Sequence, residues 1–189
     1  FGWFDFERKS WNFPWKQWIE EVLNATGKLP LSLSDPIEYP VLVDETDLLL
    51  LKELEKDGFA KFANLAKVAK ITSQGVRYRY YHHVLKRNLI ADYQIAHLPY
   101  PLQVSDMCSF TIDFANDVAL AKFANTLLNK PFTITFGKIL EKNSLLLHIY
   151  IPKMEFPNFI ESLNRLAEKD VIKSYFYVTL DVLAFKRQT

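Results

Sequence analysis

Hydrophobic positions after Gln103 follow strand-like alternation that is interrupted twice by helical spacing. The predicted elements are a strand at 107–114, a helix capped by Asp117, strands at 132–140 and 144–151, a helix at 156–169 and a strand at 171–180. A tight turn at 141–143 joins the two middle strands into a hairpin. The order βαββαβ predicts a ferredoxin-like α+β domain over residues 104–189.

A sheet of this kind carries both helices on one face and leaves the other face open. In the last strand, either Tyr175, Tyr177 and Thr179 or Phe176, Val178 and Leu180 must lie on that open face. Apolar side chains on an open face are typical of an association surface. The pattern predicts a homodimer or higher homo-oligomer, with an interface drawn from Tyr175, Phe176, Tyr177 and Val178.

Three short helices are predicted upstream, within a domain at 44–97. Acidic residues follow Asp44, and leucines then recur at helical spacing at 48, 51 and 54 as far as Gly58. The second helix has its apolar stripe at Phe62, Leu65, Ala66 and Ala69. Lys70-Ile71-Thr72 forms a turn, and Val76, Tyr80 and Val84 face inward from the third helix. This spacing predicts a helix-turn-helix of the winged-helix type, followed by an extended segment at 93–95.

Positive charge is concentrated in this domain. Residues 61–90 contain seven basic residues and no acidic one, whereas the whole chain has a net charge of only +1. Such clustering indicates a double-stranded DNA partner, and the front of the third helix would enter the major groove. The predicted DNA-binding residues are Ser73, Gln74, Arg77, Tyr78, Tyr81, Lys67, Arg79, Lys86 and Arg87, of which Lys67, Lys86 and Arg87 would contact phosphates. The alternative is a three-helix bundle with a solvated basic face.

Residues 1–43 form an aromatic segment followed by a linker that contains three prolines. All four tryptophans lie within the first eighteen residues, and a strand near Phe4 precedes a helix that starts near Pro14. The tryptophans could stack on bases or bind a small ligand, but packing against the rest of the chain or another domain is favoured, since few cations accompany them. The chain begins with Phe1 rather than Met, so it is interpreted as a fragment or processed form, with this segment as the tail of an upstream domain.

The helix-turn-helix also resembles a known family, the Lrp/AsnC (leucine-responsive/asparagine regulator) transcription factors of bacteria and archaea. The residues that carry the resemblance are 44–58, Asn64-Leu65-Ala66, Ile71-Thr72-Ser73, and Val76 through Leu89-Ile90. The resemblance implies a C-terminal domain of βαββαβ order that dimerises and binds a small-molecule effector, here unidentified. This chain departs from the family pattern in three places. Lys70 replaces the turn glycine, the third helix is about one residue longer, and the turn at 141–144 has no glycine.

The sequence contains no phosphate-binding glycine loop, no nucleophile motif and no metal-ligand spacing. It therefore predicts a non-enzyme without cofactor or metal. The single Cys108 is expected to be a buried thiol in a reducing cytoplasm, and no apolar run is long enough for a membrane partner. Two alternatives remain. One is a decarboxylase of haem precursors, with His82, His83 and His97 as candidate pocket residues, and the other is a dimerisation module that does not bind DNA.

Overall fold

The computed structural model describes residues 2–30, 33–35, 42–87, 89–90, 98–128 and 130–181. The chain divides into two compact units. The sheet unit comprises Phe1–Asp35 and Ala96–Thr189, and the helical unit comprises Pro36–Ile95. The aromatic N-terminal segment therefore folds with the C-terminal half of the chain, although the entire helical unit separates the two in sequence.

The described part of the chain contains both helices and strands. They are β1 Phe4–Asp5, β2 Ser10–Trp11, α1 Trp15–Asn24, α2 Glu45–Lys56, α3 Phe62–Ala69, α4 Ser73–Arg79 with a π-helical continuation Tyr80–Leu85, β3 Ser105–Phe114, α5 Asp117–Leu127, β4 Thr133–Ile139, β5 Ser144–Pro152, α6 Phe156–Ala167 and β6 Ile172–Leu180. The predicted fold class, helix-turn-helix elements followed by a ferredoxin-like sheet, is confirmed. The extended segment predicted at 93–95 lies outside the described residues.

The four long strands form one antiparallel sheet in the order β4-β5-β3-β6. Alternate residues of β3 are buried, beginning with Cys108 and Phe110, and they face α5 and α6. The side chain of Asn116 caps α5 by accepting a hydrogen bond from the amide of Ala119 at 2.9 Å. This cap lies one residue before Asp117, the predicted one, because Asn116 has the extended backbone that an N-cap residue adopts.

Helix α1 packs against α5 and α6, on the helical side of the sheet. Its inward stripe, which contains Trp18, joins the main core as the spacing predicted. The indole ring of Trp18 stacks on Phe159 with 5.9 Å between ring centroids, and its Nε1 donates to Thr126 Oγ1 at 3.2 Å. The tryptophans are thus core residues of the sheet unit, which agrees with the favoured interpretation of this segment.

The proline-containing stretch after α1 contributes to the core, at least where it is described. Leu33 is buried in the main cluster, and Asp35 accepts a hydrogen bond from Lys138 Nζ at 2.6 Å on the edge strand β4. Residues 31–32 and 36–41 of the predicted extended linker lie outside the described residues. Leu33 and Asp35 attach its described part to the sheet unit, through an apolar contact in the core and an ion pair with Lys138 of β4.

The helical unit has a small core of its own. Leu50, Leu54, Leu65, Ala66 and Val76 are buried together. The stripes predicted for α3 and α4 are confirmed, but that of α2 is rotated from the prediction. Leu48 is exposed, and Asp47 occupies the inward position instead.

Among the described residues, the structure contains no helix that is long and apolar enough to cross a membrane.

We expect Trp18→Ala to lower the free energy of unfolding of the sheet unit by about 3–5 kcal/mol, because it removes a fully buried ring that touches four aromatic neighbours. The matched control is Phe6→Ala, which truncates an aromatic ring that is 72% exposed and should change stability by less than about 0.5 kcal/mol. Guanidinium denaturation of the full chain measures both. Equal, small effects would show that α1 does not belong to the core.

Candidate nucleic-acid interface

The turn between α3 and α4 has the three residues that the sequence predicted. Helix α3 ends at Ala69, and α4 begins at Ser73. Thr72 caps α4, because its side-chain oxygen accepts a hydrogen bond from the amide of Gly75 at 3.0 Å. A short turn with a capped second helix holds the start of α4 in a defined direction.

Burial of Val76 sets the rotation of α4 about its own axis. Val76 and Val84 are fully buried, and Tyr80 packs on the same cluster. Residues on the opposite side of the helix must then face solvent. The exposed side chains that line one surface cleft of about 660 Å³ are Ser73, Gln74, Arg77, Tyr78 and Tyr81, together with Phe62 and His82.

The cleft is aromatic as well as basic. Tyr78 is 58% exposed and stacks on His82 with 4.5 Å between ring centroids. The guanidinium carbon of Arg77 lies 6.0 Å from the centroid of Tyr81. A planar cation that rests on a ring keeps its hydrogen-bond donors directed outward, where they can meet a planar acceptor edge.

The second half of this helix is a π-helical segment, Tyr80–Leu85. Its wider spacing is visible where the amide of Lys86 donates to the carbonyl of Tyr81 at 3.2 Å and the amide of Leu89 donates to Val84 at 2.9 Å. A π-turn is the usual way in which a helix accommodates one extra residue without shifting its flanking turns. The sequence predicted a longer third helix but not this change in its spacing.

A carboxylate cluster joins the start of α2 to the end of α4. Asp47 is fully buried, and it accepts hydrogen bonds from Arg79 at 2.9 Å and from His83 Nδ1 at 2.9 Å. Arg79 also donates to Asp44 at 2.6 Å. Asp44 and Asp47 cap each other's backbone amides, which places both carboxylates at the positive end of α2.

The partners of these carboxylates decide their protonation. Hydrogen bonds from Arg79 hold the pKa of Asp44 below its ordinary value. Burial on its own raises the pKa of Asp47, but the hydrogen bonds from His83 and Arg79 outweigh it, so that the pKa of Asp47 is also lowered. Asp44 in turn raises the pKa of Arg79. Both carboxylates are therefore ionised at neutral pH.

Ligand atoms of Asp44, Asp47 and His83 lie within 4.8 Å of one another, a spacing that could hold a metal ion. The guanidinium of Arg79 already forms ion pairs with both carboxylates from within the chain. The cluster is therefore an internal ion-pair network.

The structure separates the predicted basic residues into two groups. Lys67 and Lys86 are exposed on the helical unit, as a phosphate contact requires. Arg79 belongs to the ion-pair network, and Arg87 donates to the carbonyl of Leu42 and lies 3.9 Å from Asp47. The sequence pattern grouped Arg79 and Arg87 with the surface cations, because their pairing with Asp47 joins residues that are far apart in sequence.

The candidate pocket histidines are also placed. His83 binds Asp47, and His82 stacks on Tyr78 within the cleft. His97 lies outside the described residues.

In the sheet unit, register decides which residues of β6 lie on the open face. Phe176 and Leu146 flank Thr111 of β3 from either side, and they are 67% and 41% exposed. Val178 lies two residues further along the same face. Tyr175 and Tyr177 point the other way: the ring of Tyr177 stacks on Phe110 at 5.0 Å, and Tyr175 donates to Asn164 of α6. Of the two alternatives that the sequence left open, the structure shows the one with Phe176 and Val178.

The sequence matches no protein-family model and no curated protein. Solved structures show the same fold. The feast or famine regulatory protein from M. tuberculosis, complexed with L-methionine, is 16% identical over 78% of this chain and 98% of its own, with a TM-score of 0.53. A transcriptional regulator from Neisseria meningitidis, also complexed with L-methionine, is 16% identical over 77% of this chain and 94% of its own, with a TM-score of 0.51. MtbAldR is 16% identical over 78% of this chain and 97% of its own, with a TM-score of 0.53. These neighbours are regulators of the Lrp/AsnC family, and the likeness is one of fold.

We expect Asp47→Ala to destabilise the helical unit by about 3 kcal/mol, because it leaves Arg79 and His83 without their buried acceptor. Asp57→Ala is the matched control, since that exposed carboxylate accepts only the nearby amide of Phe59. Urea denaturation measures both. A variant as stable as the wild type would mean that the network does not hold α4 to α2.

The network also makes the stability of the helical unit depend on pH. The pKa of Asp47 in the folded chain lies below its ordinary value of 3.8. Its stabilising contribution is therefore complete above that value and is lost as the pH falls through the folded pKa. As the pH falls below about 4, the free energy of unfolding should decline more steeply for the wild type than for Asp47→Asn, and parallel curves there would contradict this assignment.

Proposed function

We propose that this chain, which has the fold of the Lrp/AsnC regulators, is a sequence-specific DNA-binding transcription regulator. One observation carries the proposal. Burial of Val76 and the ion-pair network fix the orientation of α4. Its opposite side presents polar, basic and aromatic side chains on an exposed surface. This is the arrangement with which the second helix of a helix-turn-helix enters the major groove.

The exposed side chains suit the base edges of DNA. Arg77 can donate hydrogen bonds from its two terminal nitrogens to O6 and N7 of guanine. Gln74 can form a pair of hydrogen bonds with N6 and N7 of adenine. The rings of Tyr78 and Tyr81 offer apolar contact of the kind that a thymine methyl group accepts. Ser73, at the first position of α4, is assigned to the same surface.

The phosphate backbone would be met by lysines. Lys67 on α3 and Lys86 after the π-helical segment are exposed, and both are assigned to phosphate contacts. Arg87 is retained at the margin of this set because about a third of its side chain is exposed. Arg79 is omitted, since both of its acceptors lie within the chain.

The proposal includes a homodimer that forms through the open face of the sheet unit. Phe176, Val178 and Leu146 lie together on that face with large exposed fractions. Tyr100 covers one end of the face by stacking on Tyr150 at 5.9 Å, and its backbone carbonyl accepts the hydroxyl of Tyr150. The uncovered remainder carries these apolar side chains together with Ser109, Thr111 and His148. Each apolar side chain buried there would contribute about 1.5–3 kcal/mol.

Arg77→Ala and Gln74→Ala are expected to relax sequence preference, each by about 1–3 kcal/mol of discrimination between operator and random duplex. Arg8→Ala and Gln17→Ala are the matched controls, because they remove the same side chains from exposed positions of the sheet unit. Selection from a random duplex pool, followed by binding titrations, supplies the operator and the affinities. If both Arg77→Ala and Gln74→Ala discriminate as the wild type does, α4 does not select the sequence.

Phe176→Asp is expected to convert the dimer to a monomer, because it places a charge within an apolar contact surface. Met154→Asp is the control, since Met154 is 88% exposed and lies in the turn before α6. Light scattering of the full chain at micromolar concentration gives the mass of each. A monomeric wild type would overturn the dimer, and a dimeric Phe176→Asp variant would move the interface elsewhere.

A further inference from the structure

Lys70 adopts a backbone conformation that usually belongs to glycine. It directly follows α3 with φ 53° and ψ 37°, which is the left-handed region. The amides of Lys70 and Ile71 both donate to the carbonyl of Ala66, and the Ile71 bond is the closing bond of a Schellman motif. The conformation is therefore imposed by the way in which the helix ends and the turn begins.

A lysine at this position lowers stability relative to glycine. In the left-handed region its Cβ crowds the following carbonyl, and glycine has no such contact. Four described residues other than glycine have positive φ, whereas none of the described glycines does. Strained positions of this kind are concentrated at functional sites.

Position and charge indicate a role for Lys70. Lys70 is the first residue of the turn that leads into α4, and its side chain is exposed. Among the residues that the structure describes, no carboxylate lies within ion-pair distance of its ammonium group, in contrast to Arg79. The turn of a helix-turn-helix lies close to the DNA backbone when its second helix occupies the groove.

We propose that Lys70 binds a DNA phosphate and that this contact explains why a lysine occupies the left-handed position. The inference rests on the proposed function. An ammonium group on a flexible stem can reach a phosphate oxygen without strict geometry. The contact would add affinity for all duplexes and none for a particular sequence.

The decisive variant is Lys70→Gly, because strain and charge change in opposite directions. Relief of the left-handed strain should raise the Tm of the helical unit by about 4 °C. Loss of the ammonium should weaken binding of operator and random duplex alike and lower the slope of log affinity against log salt by about one. Lower affinity in a more stable protein cannot be attributed to unfolding. Lys70→Arg keeps the charge and should keep the slope.

Lys9→Gly is the matched control. Lys9 is also an exposed lysine with positive φ, 50°, but it lies between β1 and β2 of the sheet unit. The same substitution there should relieve strain without any change in DNA affinity or salt slope.

Thermal unfolding and fluorescence anisotropy with labelled duplexes between 50 and 200 mM salt provide the measurements. A wild type without salt-dependent DNA affinity would overturn the proposed function itself. If the wild type binds DNA but Lys70→Gly keeps the wild-type slope, or loses stability together with affinity, then the assignment of Lys70 is wrong and the regulator proposal stands.

Discussion

The buried carboxylate of Asp47 is the constraint on which the helical unit depends. A charge without solvent is stabilised only by partners with good geometry, and here the partners are Arg79 and His83 on the last turns of the third helix. Because both partners come from one helix, the carboxylate fixes the rotation of that helix as well as its distance. Val76 and Val84 add apolar contacts on the same side. The exposed side of α4 is thus a consequence of what its buried side must satisfy.

The same constraint divides the positive charge of the domain. Arg79 is paired within the network. Arg87 donates a hydrogen bond to the carbonyl of Leu42 and lies near Asp47. Lys67, Lys70, Arg77 and Lys86 remain exposed around the turn and α4. A count of basic residues along the sequence therefore overstates the positive charge that faces solvent. The positive charge that does face solvent still lies near the turn and α4.

In the sheet unit, the two faces of the four-stranded sheet are covered differently. Helices α5 and α6 cover one face, and α1 from the far end of the chain adds a further helix on that side through Trp15 and Trp18. The other face remains open around Phe176 and Leu146. The aromatic N-terminal segment thus thickens the helical side of the sheet.

Periodicity along the chain determined most of the element order. The alternation in the C-terminal half, the stripe of α3, the turn 70–72 and the inward face of α4 were all recoverable, because each depends on residues close in sequence. The inward face of α2 was not recoverable, although Asp47, Leu50 and Leu54 share a helical face. A carboxylate is placed outward by default, and only its partners on a distant helix make the inward position stable. The π-helical segment, the unit to which the tryptophans belong and the open-face residues of β6 were likewise decided by tertiary contacts. Local pattern states which side chains share a face, and packing against residues far away in sequence decides which way that face turns.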